Sequence, residues 1–358
     1  MGSSRKPDRP PSTRQIAKIA GVSSAAVSLA LRDNPKISLA TRKRVHRIAA
    51  ELGYRVDPRM AKLMNQLREG PPPVHHSTLC AITTVTEGTE TTFLRDIIQS
   101  ARRRAATLGY KLEILRLDDA VMERKDLQRV LYSRGIDGIL LLPMKRPRSF
   151  VRLLEWDKFS VVATTYGVLA PKFHRIVPHQ FSNTQSIYGE LAKRGYRRIG
   201  LVLPELHDVR SHYSFTSAFA GMGLLGGMEV IQPFIHPDSL PVHVRRWLDR
   251  ERPDVVLAAG ERDCEAIALA FRGLESREMD FAVLAREDSS VFAGIDELPE
   301  EIGTAAVDIL HSSIQLGEKG IPTVARVTMI EGRWVDGPSL RLGSSAETVE
   351  PVRKVGTL

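Results

Sequence analysis

The chain has 358 residues, 51 of them Lys or Arg and 42 Asp or Glu, for a formal net charge of +9. An apolar fraction of 42% with 26% charged residues fits a globular protein of two or more domains and excludes global disorder; a chain of this length needs no metal or disulfide staple. Two distant cysteines, Cys80 and Cys264, exclude a disulfide framework and a Cys-based zinc site, and fit a reducing cytoplasm. Met1 to Pro11 has no apolar core of a secretion signal, and apolar runs such as Ile139 to Leu142 are far short of a membrane span.

The charge is uneven. Residues 1–70 hold 15 Lys and Arg against 5 Asp and Glu, leaving a net −1 for residues 71–358. A basic terminal module on a neutral body points to a polyanion partner, a nucleic acid or an anionic membrane. The basic residues are spread over a compact helical module with its own apolar core rather than along one lipid-facing helix, which favours nucleic acid.

Residues 1–11 read as a basic arm. Periodicity predicts a first helix over 13–20, with Ile16, Ile19 and Ala20 at i, i+3 and i+4. In the turn Gly21-Val22-Ser23, Gly21 can take φ > 0, Val22 plugs the core and Ser23 caps the next helix. A second helix is expected from about Ser24 to Arg32, with Val27 and Leu31 inward, and Asn34-Pro35 breaks it. Ser38 can cap a third helix striped by Val45, Ile48, Ala49 and Leu52. This is the helix-turn-helix arrangement, whose second helix enters the major groove by its N-terminal end. The outward residues there are Ser24, Ala25, Ser28 and Leu29; hydroxyls reach phosphates, and small apolar side chains contact thymine methyls. The bland alternative is a three-helix packing module with a solvated basic face. A fourth helical stretch, about Pro58 to Arg68, precedes the linker Gly70-Pro71-Pro72-Pro73.

From Ser77 short apolar runs alternate with amphipathic stretches. Strands are expected over 79–86, 110–117, 136–143, 160–166, 198–204, 228–235, 254–260 and 281–286. Helices are expected over 92–108, 122–134, 184–195, 242–251, 263–273 and 299–316, followed by a β-rich stretch at 323–337 and a polar tail. Strand–helix alternation predicts parallel sheets with helices on both faces. Both patterns lapse near 175–183, which divides the series into two α/β lobes.

The run Thr13-Arg-Gln-Ile-Ala-Lys-Ile-Ala-Gly-Val-Ser-Ser-Ala-Ala-Val-Ser-Leu-Ala-Leu31, with Ile37-Ser38, Thr41-Arg42 and Ala50-Glu-Leu-Gly-Tyr54, resembles the N-terminal signature of lactose-repressor (LacI/GalR) family regulators over residues 12–68. The resemblance implies that Ser12, Ser23, Ser28, Ser38 and Thr41 position the DNA backbone, helped by Arg32 and Arg42. It places base readers at Ser24, Ala25 and Leu29, two of them apolar here, so that Thr13, Arg14 and DNA shape carry more of the readout. It also makes residues 58–68 the family's hinge helix, with Leu63, or Met64 if one residue is inserted, as the minor-groove wedge.

Further matches are Thr92-Phe93-Leu94, Leu108-Gly109-Tyr110, Ile136-Asp137-Gly138-Ile139-Leu140, Gly195-Tyr196-Arg197-Arg198-Ile199-Gly200 and Pro253-Asp254-Val255. They extend the resemblance to a periplasmic-binding-protein-like core over 77–342. The implied organisation is a basic arm and helix-turn-helix domain over 1–57, then hinge helix and linker over 58–76. The core has lobe one at about 77–177 and 293–320 and lobe two at about 178–292 and 321–342. A tail follows at 343–358, with no leucine heptad.

A ligand is expected at the carboxyl ends of the strands, between the lobes. Strand-end position selects Thr86, Phe93, Tyr166, Arg210, Phe215, Glu261 and Asp288 for effector binding, with Glu87, Thr91, His207, Asp208 and Asp263 as further cleft residues. Family positions that commonly hydrogen-bond sugar hydroxyls carry other groups here: His179-Gln180, Gly260-Glu261 and Phe215. The implied function is that of a cytoplasmic, homodimeric transcriptional regulator, a repressor, that binds a pseudo-palindromic double-stranded operator. Its effector would be a sugar or related metabolite. A small-molecule-binding protein with a vestigial head is the alternative.

Gly221-Met-Gly223-Leu-Leu-Gly226 satisfies a dinucleotide-binding pattern but follows a helical stretch instead of a strand. None of the ten histidines has a helical zinc-site spacing, and no serine sits on a strand-to-helix elbow. Neither cofactor, metal nor catalysis is expected.

Overall fold

The computed structural model describes residues 13–23, 26–27, 30–31, 35, 37–52, 77–117, 124–225, 229, 231–237, 243–271, 279–288 and 290–341. They fall into two compact units: Met1–Val74 with Gln315–Glu318, which holds the head, and His75–Ile314 with Lys319–Leu358, the core.

In the head, α1 is Thr13–Ala20 and α2 is Leu39–Glu51, and helical turns at Ala26, Val27 and Ala30 lie between them. Ile16, Ala17, Ala20, Val27, Ala30, Val45, Ile48 and Ala49 form one buried cluster, against which Val22, Leu31, Ile37 and Leu52 pack. Ile19 is 55% exposed, contrary to the inward position expected for it. The stripe runs through Ile16, Ala17 and Ala20, which puts Ile19 on its flank. Gly21 holds φ +63°, the left-handed conformation the turn needs. The Val22 amide donates to the Ala17 carbonyl at 3.1 Å, closing α1. Ser23 Oγ accepts from the Ala26 amide at 3.1 Å, and Ser38 Oγ caps α2 through the Thr41 amide at 3.3 Å.

The core contains two sheets. Strands β1 (Ser77–Thr83), β2 (Tyr110–Arg116), β3 (Ile136–Leu141), β5 (Ser160–Ala163), β7 (His174–Pro178) and β13 (Val327–Ile330) build the first, in the order β13-β7-β5-β3-β1-β2. All its pairings are parallel. A two-stranded ladder of β4 (Arg148–Ser149) and β6 (Val168–Ala170) lies apart from it. Helices α3 (Thr92–Thr107) and α4 (Arg124–Ser133) belong to this lobe.

Burial on both faces explains the unbroken apolar strands. In β1, Leu79 and Ala81 join the cluster that includes Ile97, Ala101, Ala306 and Leu310, while Cys80 and Ile82 join the one that includes Leu127, Leu131 and Phe159.

The second sheet has the order β14-β12-β11-β10-β8-β9, from β8 (Ile199–Pro204), β9 (Phe234–His236), β10 (Val255–Ala258), β11 (Asp280–Val283), β12 (Ala293–Asp296) and β14 (Arg333–Val335). Only β14 is antiparallel. Helices α5 (Gln180–Lys193), α6 (Glu205–Arg210), α7 (Ser214–Leu225), α8 (Val244–Glu251) and α9 (Glu261–Phe271) surround it. The Gly221 and Gly223 of the dinucleotide-like pattern lie inside α7, as the helical reading requires.

The chain crosses between the sheets after β7, between β12 and α10 (Pro299–Leu316), and between β13 and β14. Two expected lobe boundaries therefore move. Strand β12 pairs with β11 and β14, so residues 293–296 belong to lobe two; β13 pairs with β7, so residues 327–330 belong to lobe one. Neither short strand shows in its residues which sheet it joins, because pairing is decided by distant partners. Helix α10 returns to lobe one, where Gly303 lies against α3: a Cβ there would come within 2.4 Å of the Ile97 carbonyl.

Hydrogen bonds stitch the crossings together. The His179 amide donates to Ile330 O at 2.8 Å, the Gly332 amide to Asn183 Oδ1 at 2.8 Å, and His179 Nδ1 lies 2.7 Å from Glu331 Oε1. At the β12–α10 crossing Glu297 is 8% exposed, and Leu298 beside it holds φ +54°. Burial and the neighbouring Asp296 charge push the Glu297 carboxyl up to about 8.

Candidate nucleic-acid interface and ligand cleft

In the head, Ser23 and Ser38 both sit at helix starts, where a hydroxyl satisfies a free amide and main-chain donors face outward. Ser38 Oγ and Thr41 Oγ1 are 2.9 Å apart, and Arg42 on the next position is half-buried. Lys43, Arg44, His46 and Arg47 are exposed on α2; Arg47 pairs with Glu51 at 3.5 Å. A capped helix start beside a basic helix is suited to gripping phosphates. Thr13 and Arg14 open α1. Ser12, Ser24, Ala25, Ser28, Leu29, Arg32 and the wedge candidate Leu63 lie outside the described residues.

In the core, segments that follow β1, β3 and β5 meet segments that follow β8 and β11. The lobes touch there through named side chains. Tyr166, after β5, lies ring to ring with His212, after α6, at 4.3 Å, and Arg175 of β7 sits 5.1 Å from the Tyr166 ring. The Arg210 guanidinium donates to the Lys145 carbonyl, after β3. Thr92 Oγ1, at the start of α3, donates to Glu287 Oε2, after β11, at 3.0 Å. His212 and Tyr213 hold φ +55° and +60°, a strained pair that turns the chain so that His212 meets lobe one.

Several groups keep hydrogen-bonding capacity. Glu261 Oε1 is buried without a partner among the described residues. Asp263, on the same first turn of α9, is raised above the usual carboxylate range by burial. His207 remains solvent-accessible, while the surrounding protein and the Arg210 charge push it down to about 4, the combination expected of a group lining a concavity.

The remaining expected positions divide. Thr86 is exposed, and its carbonyl accepts from the Thr89 amide and hydroxyl at 3.1 and 2.8 Å; Phe93 is half-buried against the lobe-one core. Asp288 is exposed, and its carbonyl accepts from Arg286 at 3.4 Å. Phe215 is 5% exposed within the lobe-two core, so packing accounts for its ring. The strand-end rule selected it because it lies soon after β8, but the intervening turn carries it inward. Glu287, His212, Lys145 and Arg175 escaped that rule. Only Arg175 left a signal, as a charge inside an otherwise apolar strand.

Residues 13–57 match the family model for bacterial regulatory proteins of the lacI family. The transcriptional repressor CytR of Escherichia coli K12 is 26% identical over 211 residues, 58% of each chain, so the match spans less than two thirds of that relative. The repressor PurR of Pasteurella multocida is 21% identical over 271 residues, 70% of this chain and 77% of its own. Among solved structures, the regulator CelR in complex with cellobiose is 20% identical with a TM-score of 0.55, covering 92% of this chain and 99% of that one. The lac repressor dimer bound to operator and the anti-inducer ONPF is 17% identical with a TM-score of 0.54, covering 92% and 98%. At such identities these structures establish the fold. No helix among the described residues is long and apolar enough to cross a membrane. Residues 13–57 thus carry a domain of the lacI family of bacterial regulatory proteins, and the two-lobed core shares the fold of the lac repressor dimer structure.

Proposed function

We propose that the protein is a sequence-specific DNA-binding transcriptional repressor, acting as a cytoplasmic homodimer on a pseudo-palindromic operator. A small molecule, a sugar or related metabolite, held between the core lobes sets its operator affinity. The observation that carries this reading is the capped, basic helical head together with a two-lobed core in which Glu261 holds a buried acceptor without a partner among the described residues. The repressor relatives support it, as do the cellobiose-bound and operator-bound neighbours. We propose no catalytic role for the core. Among effector contacts, Tyr166, Arg210 and Glu261 are the foremost candidates because they face the opposite lobe or hold a free acceptor. Effector and operator must then influence each other's affinity by the same factor.

The test is selection of bound sequences from a random DNA pool, followed by titration of the labelled winner. Affinity for it should fall steeply with salt as phosphate contacts release counterions. A selection that enriches nothing, or affinity indifferent to salt, would overturn the proposal. Sugar and metabolite panels scored by thermal shift and by operator release then identify the effector, and Glu261→Gln should weaken the hit.

A further inference from the structure

On lobe two a groove of about 270 Å³ lies between β9 and α8, walled by Phe234, Ile235, His243, Arg246, Trp247 and Arg250. Its cations form one stripe, because positions 243, 246 and 250 recur at helical spacing on one face. Among the described residues, no acidic side chain lines it. Arg250 Nε donates to Glu251 at 2.7 Å, and Arg246 has no partner among the described residues. The floor is fixed: Trp247 Nε1 donates to Gln232 O at 2.7 Å, and the indole lies so close to Gly200 that a Cβ there would approach it to 2.6 Å. Among the described residues, strand β9 is the outer strand of its sheet and pairs with β8 alone, while Ile235 is 40% exposed. Its free edge offers alternating main-chain donors and acceptors.

We propose that this groove is a docking site for an extended acidic segment of a partner protein, added as a further strand on β9 with its carboxylates on His243, Arg246 and Arg250. A polypeptide strand matches both the donors and the acceptors of the edge, which a nucleic acid backbone, offering acceptors only, does not. Exposed ion pairs are individually weak, so a free phosphate or a single carboxylate gains little here, whereas a strand combines several charges with main-chain hydrogen bonds. The near-neutral body, net −1 over residues 71–358, provides no long-range pull on a polyanion, so recognition is local.

The probe is a fluorescein-labelled octapeptide alternating Glu and Val, titrated into the full chain and read by anisotropy. Saturable binding is expected. It should weaken by about tenfold or more for the Arg246→Glu/Arg250→Glu variant, for the peptide with Gln replacing Glu, and for the peptide with a central Pro. Both arginines are exposed, so the variant should keep its circular dichroism, its melting temperature and its binding of DNA. Absence of saturable binding would mean that the cations merely guard an open edge, and overturns the proposal. So does equal affinity for the Gln or Pro peptide, or displacement of the peptide by an oligonucleotide that depends on the same arginines.

Discussion

Single residues in this protein do work that their neighbours in sequence do not reveal. Glu297 is the clearest case, an acid buried at a crossing between the lobes and raised to about 8. In the unfolded chain it ionises near the ordinary glutamate value of 4.5. Between those pH values the native state holds a proton that the unfolded state has released, so its contribution to stability falls as pH rises through that window. Glu297→Gln removes the dependence. Melting temperatures of variant and native protein should coincide near pH 4 and diverge in the variant's favour by pH 8.5; parallel curves would show that Glu297 is not held protonated. The cleft residues follow the same rule of environment over identity. Tyr166, Arg210 and Glu261 are ordinary loop and helix residues in sequence; the first two are set apart by the opposite-lobe groups they touch, and Glu261 by a buried oxygen without a partner among the described residues. Strand-end position could select them, as it could select Phe215. It could not separate a side chain facing the cleft from one turned into the core.

At the level of elements, most helices and parallel strands were legible because both signals are local, a period of 3.6 and short apolar runs, whereas β7 and the start of α5 fall where both patterns were expected to lapse, near 175–183, and α6 was not expected. Head turn and core packing each rest on one glycine. Gly21 has open space around it but holds φ +63°, so Gly21→Val is opposed by backbone conformation alone. A loss of roughly 1–2 kcal/mol from the head is expected, read as weaker DNA binding with the core's melting unchanged. Gly303 is the reverse case, helical in backbone but pressed on α3, where a Cβ would meet Ser100 Oγ at 2.2 Å and the Ile97 carbonyl at 2.4 Å. Gly303→Ala should lower the core's stability by about 1–3 kcal/mol in urea melts, with DNA binding by the head retained. The final strands were less legible. The 323–337 stretch was expected to be β-rich, yet β13 and β14 join different sheets, a choice set by partners more than a hundred residues away for β13 in β7. Local pattern carries no record of such pairing.

At the scale of the whole molecule, the proposed function assigns DNA binding to the head and effector binding to the core, and the wedge proposed at Leu63 belongs to this scale. Leu63→Ala should reduce affinity for the selected operator far more than for random duplex, since a wedge acts by kinking a particular step. Equal losses on both DNAs would assign the side chain to packing instead. The core's sheets have a different consequence. Each lobe is assembled from separate stretches of chain, and β13 and β14 are contributed after all other strands. During synthesis the head is complete early, whereas neither lobe can close its sheet until those last strands emerge. If the proposed function holds, nascent and C-terminally truncated chains would possess the means to hold DNA before they possess any means of being told to release it, and control would be acquired only with the last strands, β13 and β14.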